Sequence, residues 1–132
     1  MKISTKARYG LRALIELVHL NGEDNYISLK TISDNQKISL NYLESSFSLL
    51  KKAGIVESSS GKLGGYKLVM QASLLSVKQV MIAIEGEQKI IENNNVGNKL
   101  LICLNKSVWN KIDNRIDDVL SNITLSDLLK GI

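Results

Sequence analysis

A chain of 132 residues with 44% hydrophobic side chains can bury one core and carry one appendage. No apolar run approaches a membrane span, the start Met1-Lys2-Ile3-Ser4-Thr5-Lys6 lacks an apolar signal stretch, and the single cysteine, Cys103, excludes an internal disulfide; a cytoplasmic protein with no membrane partner is expected. The net charge of +4 is uneven, with eleven basic and six acidic side chains in residues 1–82 against six and seven in 83–132, which suits a nucleic-acid partner for the N-terminal part.

A first helix is expected from Thr5 to about Leu20. Tyr9, Ala13, Ile15-Glu16-Leu17 and Leu20 recur at helical spacing. Ser4 or Thr5 can accept from a free backbone N–H at its start, and Asn21-Gly22 supplies a left-handed stop. Lys6, Arg8 and Arg12 share much of one flank, which reads either as a solvated face or as a set of phosphate contacts. Tyr26-Ile27 fits a short edge strand. Ser28 then caps a helix over residues 29–35, too short to stand alone, with Leu29 and Ile32 facing inward. Gln36-Lys37-Ile38 makes a tight turn and Ser39 caps the next helix. Two short helices joined in this way have helix-turn-helix spacing.

In that next helix Leu40, Leu43, Phe47 and Leu50 fall on one face at steps of three and four, the pattern of a core-facing stripe. The opposite face carries Asn41, Tyr42, Ser45 and Ser48, with Lys51 and Lys52 at the end and Gly54 as the stop. Short polar side chains near a helix start reach base edges when the helix lies in a major groove. Asn41, Tyr42, Glu44 and Ser45 are the candidate base readers. Glu44 can accept from a cytosine amino group, or it can simply pair with a nearby lysine.

Ile55-Val56 opens a hairpin whose loop holds Ser60, Gly61, Lys62, Gly64 and Gly65. The glycines permit positive φ and a close backbone approach to a phosphate or minor groove. Lys62 and Lys67 charge this wing, although a plain hairpin with no ligand has the same pattern. Lys6, Arg8, Ser28, Ser39, Lys51, Lys52, Ser60, Lys62, Gly64 and Gly65 are the candidate DNA-backbone and wing contacts.

Ser76-Val77-Lys78-Gln79 is a capping box opening a helix to Gly86. Residues 87–99 are polar, with Asn93-Asn94-Asn95, and read as a loop. From about Leu100 to Asn122 a long helix is expected. Leu101, Leu104, Val108, Ile112, Ile116, Val119 and Ile123 step by 3, 4, 4, 4, 3 and 4 residues. So long an apolar seam exceeds what a small domain can cover and calls for a partner helix. A homodimer through these seven residues is therefore expected, placing two recognition helices about one DNA turn apart on a palindromic double-stranded site. Thr124 starts a short capped terminal helix. The fold class is therefore mainly α with a small β-hairpin wing: a winged helix-turn-helix over 1–86, a loop over 87–99, and a dimerisation helix with a terminal helix over 100–132. No nucleophile–base pair, phosphate-binding Gly-Lys-Ser/Thr loop or metal-ligand spacing is present, so neither an enzyme nor a metal site is expected. A helix and hairpin serving a protein partner remains open.

The segments Met1 to Gly10, Ile38 to Glu44, Leu50 to Val56, Gly64 to Leu68 and Ile123 to Leu129 resemble the Rrf2 family of bacterial winged helix-turn-helix regulators over nearly the whole chain. The piece Cys103-Leu104-Asn105-Lys106-Ser107-Val108-Trp109 is most similar to the IscR branch, which holds a 2Fe–2S cluster. The resemblance implies a dimeric transcription factor, expected here as a repressor, whose cluster sits before the long helix on three cysteines and a histidine. Only Cys103 matches a ligand position, and Lys106 stands where the histidine would fall. One thiolate cannot hold a cluster that takes about four protein ligands, so no cofactor is expected; the alternative is an iron–sulfur cluster bridged between the two Cys103 residues of a dimer. Cys103 is then either a small, half-buried residue at a helix start or a redox-sensing thiol favoured by the helix N-terminus and Lys106. In the second case the protein is an IscR-like redox or iron–sulfur sensor. Relatives often carry arginine at the position of Ser60, so the wing contact differs here.

Overall fold

The computed structural model describes residues 3–87, 89 and 97–132. Most of the expected 87–99 loop, namely 88 and 90–96, lies outside the described residues. Helices α1 (Thr5–His19), α2 (Leu29–Gln36) and α3 (Leu40–Lys52) are followed by strands β1 (Val56–Ser59) and β2 (Gly65–Leu68) and by α4 (Val77–Glu85). The chain is mainly α with a two-stranded antiparallel wing, as the periodicity requires.

The start of α1 and the ends of α1 and α3 follow their local signals. The Ser4 side chain accepts from the Ala7 N–H. At the other end of α1 Asn21 takes φ 70°, and the Asn21 and Gly22 N–H groups return to the Val18 and Leu17 carbonyls at 3.0 and 2.9 Å. That is the double-bonded left-handed cap, with Asn21 carrying the turn. Gly54, at φ 78°, repeats it after α3: the Gly54 and Ile55 N–H groups donate to Lys51 and Leu50. The Ser76 capping box forms with Gln79, as the motif requires.

The core is built where α1, α3 and α4 meet. Leu14, Leu17, Ile32, Leu43, Phe47, Leu50, Leu75 and Val80 are fully buried. Leu40 departs from the expected stripe and is 38% exposed. As the first residue of α3 its side chain leans toward the helix start, beyond the core. Ser46 takes an inward place instead. A Cβ on Gly10 would stand 2.5 Å from Ile84 Cδ1 and 3.5 Å from Ser46 Cβ, so only small residues let these three helices close. The Ser46 hydroxyl is buried and has no hydrogen-bond partner among the described residues. Removing an orphaned buried hydroxyl should stabilise a fold. Ser46→Ala is expected to raise the urea midpoint by an amount corresponding to about 1 kcal/mol; a lowered midpoint would contradict this expectation.

The long C-terminal helix is one continuous run with an interruption. Helix α5 (Lys99–Leu104) passes into a π turn over Asn105–Trp109 and on into α6 (Asn110–Ser121). At the π turn the Asn110 N–H donates to the Asn105 carbonyl five residues back. This turn is not among the elements expected from the sequence, although the three successive steps of four through Leu104, Val108, Ile112 and Ile116 signal it. Four residues advance a straight α-helix about 40° past a full circle. A widened turn absorbs part of that drift and keeps the stripe on one side. One flank of α6 is tied to α4 by the Lys78–Asp117 ion pair at 3.3 Å.

The chain then turns back. Thr124 and Asp127 form a capping box for α7 (Leu125–Leu129), and the Thr124 N–H, then its hydroxyl, lower the Asp127 pKa by hydrogen bonding. Leu125 is fully buried against the core. The Val77 N–H donates to Ile123 O, and the Leu125 and Ser126 N–H groups donate to Leu75 O and Ala72 O, at 2.8 to 3.1 Å. Helix α7 is thus hydrogen-bonded into the same body as α1–α4.

Candidate nucleic-acid interface

Helix α3 presents its polar side outward. Asn41, Tyr42, Glu44, Ser45 and Ser48 are exposed, while Leu43, Phe47 and Leu50 anchor the other side. The helix is held like a bar: an apolar edge fixed in the core, a polar edge free to meet a groove. Lys6, Ser39, Asn41, Tyr42 and Ser45 line one open cleft of about 310 Å³. Three of the four base-reading candidates and two of the backbone candidates therefore stand together. Ser39 begins α3, but its side chain makes no capping bond, contrary to expectation. Ser39 lines the cleft beside the helix N-terminus, where an anion is favoured. Glu44 makes no ion pair among the described residues, so the lysine-partner reading has no support in the geometry.

Ser28 is engaged. Its hydroxyl accepts from the Thr31 N–H at 3.1 Å and meets Thr31 Oγ1 at 2.8 Å. Arg8 donates to its own neighbour Thr5 Oγ1 at 3.3 Å and is otherwise exposed. Lys51 reaches across to the wing and donates to Ser58 Oγ at 2.7 Å, while Lys52 stays exposed.

The wing is a short ladder pairing Val56 with Leu68 through Ser59 with Gly65. Tyr26-Ile27 adds a single bridge rather than a strand: the Ile27 and Tyr66 N–H groups exchange bonds with each other's carbonyls at 2.8 Å. That bridge explains Gly65, and the close turn of the wing loop explains Gly64. A Cβ on Gly65 would lie 2.2 Å from Ile27 O, and one on Gly64 would lie 2.3 Å from Ser59 O. The close backbone approach expected at Gly64-Gly65 is made to the protein's own chain. Gly61, at φ 97° with open space around it, sits at the wing tip beside Ser60 and Lys62.

Lys67 pairs with Glu57 at 3.6 Å and lies 5.1 Å from the Tyr26 ring centroid. The Tyr26 hydroxyl donates to Glu57 Oε1 at 2.8 Å; that bond, with desolvation and the carboxylate charge, raises the phenol above its ordinary pKa. Lys67 is therefore paired within the wing. Lys62 has no ion-pair partner among the described residues and is the cation the wing tip offers.

The seam residues divide by exposure. Leu101, Leu104, Ile112 and Val119 are exposed, from 37% for Leu104 to 59% for Val119. Val108, Ile116 and Ile123 are half-buried. Cys103 is exposed rather than half-buried and lies in the second turn of the long helix, past its first turn, with Sγ 3.8 Å from Ser107 Oγ. Its thiol is therefore away from the helix N-terminus. Among the described residues no three His, Cys, Asp or Glu side chains come together as a metal-binding group, and His19, the one histidine, is exposed on α1. The donor set does not fit an iron–sulfur cluster.

A family model described as "Iron-dependent Transcriptional regulator", Rrf2, matches residues 3–131. The HTH-type transcriptional regulator IscR of Vibrio cholerae is 37% identical over 131 residues, covering 98% of this chain and 75% of that protein. Protein rrf2 of Nitratidesulfovibrio vulgaris is 32% identical over 133 residues, covering 98% and 88%. Among solved structures, CymR of B. subtilis, the global cysteine regulator of that organism, superposes with TM-score 0.83 at 31% identity, covering 100% of this chain and 98% of that one. T. potens IscR gives TM-score 0.78 at 37% identity, covering 99% and 88%.

Proposed function

The chain belongs to the Rrf2 family of DNA-binding transcriptional regulators, and on that premise we propose that it is a homodimeric repressor of palindromic operators that works without an iron–sulfur cluster. Its relatives are regulators and not enzymes. The observation that carries the reading is the single cleft on which Lys6, Ser39, Asn41, Tyr42 and Ser45 converge at the exposed start of α3. In this reading Asn41, Tyr42, Glu44 and Ser45 meet base edges in the major groove of double-stranded DNA. Lys6, Arg8, Ser39, Lys51 and Lys52 take phosphates, and Ser60 and Lys62 reach the flank with the wing tip. The exposed seam of α5 and α6 pairs with a second copy, and the work is done in the cytoplasm, where a lone thiol stays reduced.

Selection of genomic DNA fragments, with and without iron and reductant, tests the proposal. The expected result is the same palindromic fragments under both conditions, bound by a colourless, iron-free protein. Fragments retained only by an iron-loaded, coloured protein would overturn the cluster-free part, and no retained fragment would overturn the DNA-reading part. Asn41→Ala or Tyr42→Ala should remove about 1–3 kcal/mol of base discrimination. Lys62→Ala or Arg8→Ala should weaken all duplexes alike and flatten the salt dependence, because a phosphate contact releases counterions whatever the sequence. Competition titrations against a scrambled duplex separate the two classes.

The exposure of Cys103 favours a second reading, in which its oxidation is the signal. Cys103→Ser would then bind its operator identically in oxidant and reductant while the parent responds. A parent protein with no such response removes this reading.

A further inference from the structure

We propose that Tyr9, Arg12 and Glu16 of α1 are positioning residues that fix how the base-reading face of α3 is presented, and so set operator discrimination without touching DNA. The proposal rests on the DNA-reading role of α3. The three side chains step by three and four along α1 and therefore share a face. Tyr9 meets Tyr42, a candidate base reader, edge-on with ring centroids 5.7 Å apart at 63°. The Arg12 guanidinium lies 5.2 Å from the Tyr9 ring centroid. Its Nη2 donates to the Gln36 carbonyl at 2.6 Å. Gln36 ends α2, so that carbonyl is among those left without a partner in the helix, at the end of the dipole that favours a cation. The Gln36 side-chain amide in turn donates to Glu16 Oε2, and Glu16 is only 9% exposed. Gln36 is thus gripped at its carbonyl and at its side chain by one helix.

The turn immediately after Gln36 aims the recognition helix. Lys37 takes the left-handed conformation at φ 55°. The Ile38 N–H donates to Ser33 O at 3.2 Å, and the Ser33 hydroxyl donates back to Ile38 O. Helix α1 therefore holds α3 at two points, the turn that precedes it and the Tyr42 ring on its outer face. A reading face held loosely still meets phosphates, which tolerate displacement. It loses base-edge hydrogen bonds, which do not. The flank reading that groups Arg12 with Lys6 and Arg8 as a phosphate contact gives a different expectation, and the two can be separated.

The experiment measures affinity for a duplex selected by the parent protein and for a scrambled duplex of equal length, across a salt series. Arg12→Ala should lower affinity for the selected duplex about tenfold relative to the scrambled one, with the slope of log K against log salt unchanged. A direct phosphate contact would instead flatten that slope by about 0.9 per protomer, and that result would overturn the proposal. Arg12→Lys keeps the charge but loses the flat stacking surface and the fork, so it should discriminate as poorly as Arg12→Ala. Full discrimination by Arg12→Lys would also overturn the assignment. Tyr9→Phe keeps the edge contact and should match the parent, whereas Tyr9→Ala should not. Thermal unfolding confirms that each variant is folded before affinities are compared. A parent protein that binds both duplexes equally overturns the underlying DNA-reading proposal, whereas a discriminating parent matched by Arg12→Ala overturns only this one.

Discussion

Ile112→Asp is expected to convert the protein to a monomer and to reduce operator affinity by about 10²–10⁴-fold, the largest functional loss expected of any single substitution. Ile112 is 40% exposed and sits mid-seam, between Val108 and Ile116. A carboxylate there remains solvated in the lone chain, so the fold should survive. In an apolar interface a carboxylate from each copy has to be desolvated, and the two like charges are brought together. Two half-sites bound by linked readers gain from effective concentration, and a monomer forfeits that gain without losing a single base contact. Sedimentation gives the oligomeric state and a titration gives the affinity. A monomeric parent, or an Ile112→Asp variant that dimerises and binds as the parent does, would rule out the seam as the interface.

Gly65→Ala is expected to cost roughly 3 kcal/mol or more and to detach the wing from the body. Two penalties coincide. Gly65 holds φ 153°, which a side chain rarely adopts, and the added Cβ would sit 2.2 Å from Ile27 O, 2.4 Å from Ile27 C and 2.8 Å from Ser28 N. These are backbone atoms and cannot swing aside. The strand must retreat, breaking the Ile27–Tyr66 bridge and disturbing the edge contact of Tyr66 on Phe47, whose centroids are 5.2 Å apart. Gly61→Ala is the control: its φ of 97° is also strained for a side chain, but no atom lies within 4 Å. It should cost less and leave the bridge intact. Amide exchange at Ile27 and Tyr66 reports the bridge, and the thermal midpoint reports the fold. Equal losses for the two variants would mean that the close approach is not what requires glycine at position 65.

The two substitutions act on different parts of the same device. In the proposed dimer, one removes the second reader; the other loosens the hairpin against the first. Between them stands α3, whose inner edge is fixed in the core by Leu43, Phe47 and Leu50 and whose outer edge is exposed. Specific binding needs both properties in one helix. A reader must be held rigidly by residues that never meet DNA.

Much of this design is legible in the residues themselves, because it depends on short-range physics. A serine before a helix, a glycine or asparagine after it, and an apolar residue every third or fourth position act within one or two turns. That is why the bounds of α1 through α4, the two strands and the terminal capping box can be read from the sequence. The polar outer edge of α3 and the long stripe from Leu101 to Ile123 are legible for the same reason. Partners far apart in the chain left no such mark. Nothing near Arg12 announces that it turns to Gln36, nor does anything near Lys67 announce Glu57 and Tyr26. The exposure of Leu40, the burial of Ser46 beside Gly10, the demand of Gly65 for room beside Ile27, and the return of α7 with Leu125 to the core were decided only when distant segments packed. Local hydrogen bonds and periodicity choose the elements. Which face of each is covered, and which charges remain for a ligand, depends on neighbours that only tertiary packing brings together.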